Sequence, residues 1–322
     1  MRMYDWAYLK KMRLKHLRHV YSGQGWALLI YLGIMNLAVM LVMIPEAVSL
    51  ALSGMDEAQM TQQLTSGSGW GYFLAIGIGL LWLLLWKRPS YLRDVVWKQG
   101  KPMKVGGFFS YLSVFMSAQL VMLIVSILMT TLMEQAGVGY ESSSSISMDD
   151  WSMFFYVGLG APISEEILFR GLVLRSMEPY GKKFAIVASA MLFGLFHGNL
   201  TQAPFAFLVG IVLAYVTIEH DIGWAMVLHM FNNLIVSDTL SRIGRMLIGE
   251  AGDLLVWLVI LGFSIAAVVV LVRNWKKIRA YVRQERDDPL CAKAFFTAPG
   301  VIVLLVVLIG SIVLAESMAL QF

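Results

Sequence analysis

FFSYLSVFMSAQLVMLIVSILMTTLM, residues 108–133, holds no charged side chain and is long enough to cross a bilayer as one helix, which takes about 20 apolar residues. Outward from it, similar blocks recur at Gly69–Trp86 and Trp26–Leu50 upstream. Downstream they recur at Trp151–Leu174, Phe184–His197, Ala203–Ile218, Gly223–Val236, Leu254–Val272 and Gly300–Leu314. Their apolar residues are continuous rather than alternating or spaced by a helical turn, the pattern expected where lipid is the solvent. The 322 residues are 58% hydrophobic and 14% charged, with a mean hydropathy of +0.71, against about 45–50% and about 25% in a soluble domain. The expected fold class is all-α, a polytopic transmembrane helical bundle of about eight to nine spanning helices. The spans starting at Phe184, Ala203 and Gly223 are short, which predicts helices that are tilted, shielded by neighbours, or ended at a water-filled cavity.

Lysine and arginine set the expected orientation. They cluster at Arg2–Arg18, Lys87–Lys104, Arg170–Lys183 and Arg273–Arg286, whereas residues 56–68 and 135–150 carry none, and the second of these holds Glu141, Asp149 and Asp150. The positive-inside rule then places the N-terminus in the cytoplasm of a bacterial cell membrane. Arg242 and Arg245 fall on the side this makes external and oppose it; an odd number of spans would leave Phe322 outside. The basic start is followed by too long an apolar stretch for a cleavable signal and reads as an arm on a retained helix. The net charge of +4 sits in blocks beside apolar segments, which suits lipid head groups and not nucleic acid.

The expected organisation is a basic cytoplasmic arm (1–24), N-terminal membrane helices (25–150), a central set of helices (151–240) in which function is sought, and C-terminal membrane helices with a basic connector (241–322). Residues 273–293 suggest an interfacial helix, and Ser142–Ser145 a flexible external loop. With one cysteine, Cys291, an internal disulfide and a cysteine-rich metal site are excluded.

Function is sought where polar groups are kept at depth, because an ionisable side chain in hydrocarbon costs at least about 2.5–3.5 kcal/mol. The candidates are Glu165, Glu166 and Arg170 in the fourth span, His197 at the end of the fifth, and His229, Asn232 and Asn233 in the seventh. Glu166 and Arg170 are one helical turn apart and can pair. Glu165 is turned by about 100 degrees from Glu166, so one carboxylate can face a cavity while the other holds the helix. His197 shares a face with Phe193, and His229 with Asn233. Such a set suits amide hydrolysis: a desolvated glutamate takes a proton from water, a histidine orients that water, and histidine with asparagine receives the oxyanion. It equally suits a divalent metal such as zinc, with Glu165, His197 and His229 as ligands.

These residues fall in three motifs: Glu165-Glu166-Ile-Leu-Phe-Arg170, Phe193-Gly-Leu-Phe-His197 and His229-Met-Phe-Asn-Asn233. In order and type the motifs resemble those of the CPBP (CAAX protease and bacteriocin-processing, or Abi) intramembrane proteases, which include the CAAX prenyl endopeptidase Rce1. The resemblance covers roughly residues 151–237. It implies that Glu165 and His197 activate the attacking water, that His229 and Asn233 are oxyanion donors, and that Glu166 and Arg170 support them. Members of the family have been described both as metalloproteases and as metal-independent glutamate proteases, so the resemblance leaves the metal open. The expected substrate is a peptide or protein at the membrane.

Depth sets a tension. Measured from the cytoplasmic ends at about 1.5 Å per residue, His197 lies roughly 20 Å along its helix and His229 roughly 9 Å along its own. Two other functions compete: a proton-coupled transporter, which buried Glu, Arg and His also serve, and a non-catalytic immunity or scaffold member of the same family. Matched broken helices of the kind transporters carry are not visible. His220 between Glu219 and Asp221 reads as a tight cytoplasmic turn, and Gly158 and Gly160 before Pro162 as a kink beside the acidic pair.

Overall fold

The computed structural model of the chain describes residues 3–54, 69–137, 139–140 and 150–321. The expected serine loop 142–145, the loop 56–68, and Glu141 and Asp149 lie outside the described residues. Within them the chain is helical, apart from a two-residue antiparallel pairing of Gly139–Tyr140 with Leu320–Gln321. We number the helices α1 (Met3–Leu52), α2 (Gly69–Lys87), α3 (Val105–Gln135) and α4 (151–177). They continue with α5 (Lys182–Phe196), α6 (Gln202–Glu219), α7 (Ile222–Phe231, prolonged by Asn232–Thr239), α8 (Leu240–Ile248), α9 (Ala251–Gln284), α10 (Cys291–Phe296) and α11 (Pro299–Ala319).

Six described helices are long and apolar enough to cross a membrane: α1, α2, α3, α6, α9 and α11. The chain is an integral membrane protein. The expected number of eight to nine spans is not reached on that measure, because the fourth, fifth and seventh spans are helical but short or interrupted. α5 has 15 residues. α4 and the extension of α7 include π-helical stretches at Tyr156–Gly160, Glu166–Leu174 and Asn232–Thr239. The expected kink at Gly158, Gly160 and Pro162 is thus a widened helix that stays continuous, and such widening recurs at functional sites. The basic arm and the first span are one uninterrupted helix. α9 likewise runs on through the basic connector to Gln284, so only 291–296 of that region forms a separate short helix.

Burial sorts the helices into two layers. Leu37, Met40 and Leu41 of α1, Leu81 and Leu85 of α2, Ile124 and Leu128 of α3, Val268 and Val272 of α9, and Val306 and Ile309 of α11 are exposed. In water that belt would drive aggregation; in a bilayer it is the lipid-facing surface. α4, α5, α6 and α7 instead bury Leu168, Phe169, Leu172, Ala190, Phe193, Leu213, Ala225 and Leu228. They pack on one another, with α3 against α6, α9 against α3, and α1 between α2 and α11. Non-helical turns at membrane depth are tolerated because this outer layer shields them.

Local sequence explains the ends that frame the site. The Asp150 side chain accepts from the backbone of Ser152 and Met153 and starts α4; Asp221 does the same for α7 through Trp224. α5 ends at His197, where Gly198 turns the chain in the left-handed region at φ +66°. Asn199 Oδ1 then takes the backbone N–H groups of Thr201 and Gln202 at the start of α6. His220 is held by the Lys101 carbonyl and the Tyr111 hydroxyl, beside the Lys101–Glu219 pair. That is the structural turn expected of it.

Candidate active site

All three motifs converge. Glu165 and Glu166 meet at one imidazole: His229 Nδ1 is 2.9 Å from Glu166 Oε1, and its Nε2 is 3.8 Å from Glu165 Oε2. The rotation between adjacent helical residues therefore puts the two carboxylates on opposite edges of the same ring. Glu165 is the partly open one, with 28% of its side chain accessible, while Glu166 is sealed.

Glu166 is a hub. Its Oε1 faces His229 and also stands 3.1 Å from Arg170 Nη1, both side chains being fully buried, as the four-residue spacing predicts. Arg170 stacks its guanidinium 4.3 Å above the Phe193 ring and donates from Nη2 to the Gly210 carbonyl of α6 at 3.3 Å. Glycine at 210 lets α6 approach α5 closely. A Cβ would sit 3.1 Å from Ala190 and 3.2 Å from the Phe193 ring, so a side chain there would need the α5–α6 contact to give by a few tenths of an ångström. Glu166 Oε2 and Arg170 Nε have no hydrogen-bond partner among the described residues.

Phe193 also joins the two histidines that counting along separate helices set apart. The His197 ring packs edge-on against it at 4.8 Å between centroids and the His229 ring at 5.8 Å, so one ring brings both histidines together. His197 Nδ1 donates to the Phe193 carbonyl at 2.8 Å, which leaves Nε2 as the acceptor. Glu165 and His229 both act electrostatically on His197. Asn233 lies one turn beyond His229, its Nδ2 donating to the Val157 carbonyl of α4 at 2.9 Å. Asn232 donates to Asn233 at 3.0 Å.

Motif reading alone missed Gln119, whose Nε2 donates to Asn232 Oδ1 at 2.8 Å. The signal was present, since a carboxamide in mid-span needs a partner in lipid. Tyr31 and Tyr156, also unmarked in sequence, lie within electrostatic reach of Glu165.

Residues 147–235, which hold every one of these motif residues, match the family described as type II CAAX prenyl endopeptidase Rce1-like. They form an Rce1-like domain. No curated protein and no solved structure matches the chain. The family is one of proteases, and the Rce1-like domain of this chain carries the three motifs on α4, α5 and α7. Zinc was a sequence-level option, with Glu165, His197 and His229 as ligands. Among the described residues no three His, Cys, Asp or Glu side chains converge as a metal-binding group, and Glu166 takes one nitrogen of His229. Glu166 bonds His229 at Nδ1 and the Phe193 carbonyl bonds His197 at Nδ1, so each imidazole keeps its Nε2 for another partner.

Proposed function

We propose that the protein is an intramembrane endopeptidase in which Glu165 is the general base for hydrolysis of a peptide bond in a membrane-tethered protein or peptide. The observation that carries this reading is the position of His229 between an accessible carboxylate, Glu165, and a sealed one, Glu166. The 3.8 Å gap between Glu165 Oε2 and His229 Nε2 is too wide for a direct hydrogen bond. It suits a water that bonds both.

In the forward reaction Glu165 takes a proton from that water, and the oxygen attacks the carbonyl carbon of the scissile bond. His197, its Nδ1–H given to Phe193, helps orient the water through Nε2. The oxyanion is received by Asn233 Nδ2–H and by the His229 ring, which Glu166 holds at Nδ1. Collapse returns the proton from Glu165 to the leaving amine. Arg170 holds Glu166 in place. The positive-inside pattern puts the basic blocks, and the cytoplasmic ends of α4 and α5, on the cytoplasmic side.

The test uses the full-length protein in liposomes with a library of membrane-tethered peptides, prenylated and not. Glu165→Gln should lose about 10²–10⁴-fold in cleavage with its melting temperature unchanged. Equal cleavage by the variant, or no cleavage of any member by the wild type, would overturn the reading. A chelator arm belongs in the same experiment: loss of cleavage that added zinc restores would show a metal requirement, and unchanged cleavage would support the metal-independent glutamate reading.

A further inference from the structure

One polar chain enters the site from α3, a helix outside the matched segment. It runs from Gln119 Nε2 to Asn232 Oδ1, from Asn232 Nδ2 to Asn233 Oδ1, and from Asn233 Nδ2 to the Val157 carbonyl, at 2.8, 3.0 and 2.9 Å. A carboxamide can be turned end for end with almost no change in shape, so the direction of such a chain must be set by a group with a single role. The Val157 carbonyl is that group, because it can only accept. Asn233 must therefore turn its NH2 toward α4 and its oxygen toward Asn232. Asn232 must then donate to Asn233 and accept from Gln119. Reversing any member sets two oxygens, or two NH2 groups, against each other.

The consequence lies at Asn233. One hydrogen of its Nδ2 goes to Val157, and the same nitrogen carries the second hydrogen that the peptidase reading assigns to the oxyanion. A flipped Asn233 would present an oxygen, which repels an oxyanion. Asn232 is buried, and the extension of α7 that carries both asparagines is π-helical. Backbone alone leaves the two amide orientations of Asn233 alike in shape, so the hydrogen-bond chain does the selecting.

We propose that Gln119 is a positioning residue: the Val157 carbonyl sets which end of Asn233 is NH2, and Gln119, by donating to Asn232 Oδ1, keeps the Asn232 NH2 on Asn233 Oδ1 and so steadies that orientation. The catalytic consequence rests on the peptidase reading, whereas the amide orientation can be measured without it.

The experiment uses the full-length protein with 15N-labelled asparagine in lipid nanodiscs. In the wild type, the Asn233 NH2 protons should show cross-peaks to the backbone around Val157. In Gln119→Met, similar in length but without a hydrogen-bonding amide, exchange of those protons should quicken by about tenfold, the scale of one lost neutral hydrogen bond. Absent cross-peaks, or exchange unchanged by the substitution, would overturn the proposal, and the first of these needs no variant to fold. In the cleavage assay Gln119→Met should lower kcat about tenfold at constant KM. It should have no further effect in an Asn233→Ala background, since Gln119 acts through that residue. An equal loss in both backgrounds, or a change in KM alone, would make Gln119 a packing residue. If the wild type cleaves nothing while the cross-peaks and exchange behave as stated, the peptidase reading fails and the orienting role of Gln119 stands.

Discussion

Substituting Glu166→Gln removes one charge from the centre of the bundle while keeping shape and the acceptor Oε1. Glu166 and Arg170 are both fully buried, with 3.1 Å between Oε1 and Nη1. At an effective dielectric constant of about 20, that separation corresponds to an attraction of about 5 kcal/mol, of the same order as the roughly 3–5 kcal/mol lost when one partner of a buried pair is removed. The neutral variant strands the Arg170 cation with only the face of Phe193 and the Gly210 carbonyl as compensation. We expect a loss of about 3 kcal/mol or more, which at about 2 °C per kcal/mol lowers the melting temperature by roughly 6 °C. Arg170→Met should also destabilise, though by less, because the carboxylate keeps its bond from His229 Nδ1. The double variant Glu166→Gln/Arg170→Met removes both charges, and methionine keeps an apolar stem against Phe193. It should recover at least about 2 kcal/mol relative to the sum of the single losses. Thermal unfolding of the four proteins in one detergent reads this directly. Single losses below about 1 kcal/mol, or losses that simply add in the double variant, would refute the claim that the pair is a buried, mutually dependent unit.

Two further outcomes follow from packing and from charge outside the membrane. A Cβ at Gly25 on α1 would lie 2.3 Å from the Gly300 backbone of α11, whereas one at Gly33 meets nothing within 4 Å; Gly25→Ala should cost at least about 1–3 kcal/mol and Gly33→Ala stay within about 0.5 kcal/mol, so equal melting temperatures would disprove the close crossing. In the connector after α9, burial pushes the Asp288 carboxyl up, but its hydrogen bond from Arg13 and that from the Leu290 backbone outweigh this and hold it below the usual value. A lowered carboxyl stabilises the folded state above the unfolded pKa of about 3.9 and loses that contribution as pH falls through the folded value. Arg13→Leu should therefore destabilise the protein at pH 7 and progressively less below about pH 4, and a pH-independent cost would contradict it.

Several features were legible in the residues themselves. Lipid as solvent follows from the uncharged run 108–133 and its repeats, and the Glu166–Arg170 pair from a four-residue spacing. The sharing of a face by Phe193 and His197 follows likewise and shows as the ring contact and the bond to the Phe193 carbonyl. Helix counting fared less well. The short fifth span was legible as Phe184–His197 and is the helix Lys182–Phe196, but window length cannot see that α4 and α7 widen into π-turns, because that choice depends on neighbours that shield the disturbed backbone. Depth counted along separate helices likewise put His197 and His229 about 11 Å apart at 1.5 Å per residue. In the structure both rings meet Phe193.

By itself the sequence determined that this is a helical membrane protein with three polar motifs in a fixed order, since hydropathy and helical spacing are properties of short segments. The tertiary structure alone decided that Glu165 and Glu166 share His229, that Gly210 lends its carbonyl to Arg170, and that Gln119 of α3 closes the amide chain to Asn233. These relations join residues 40 to more than 100 positions apart. They depend on how closely and at what angle helices cross, which is fixed by glycines and shielded faces on several helices at once and is written in no single one of them.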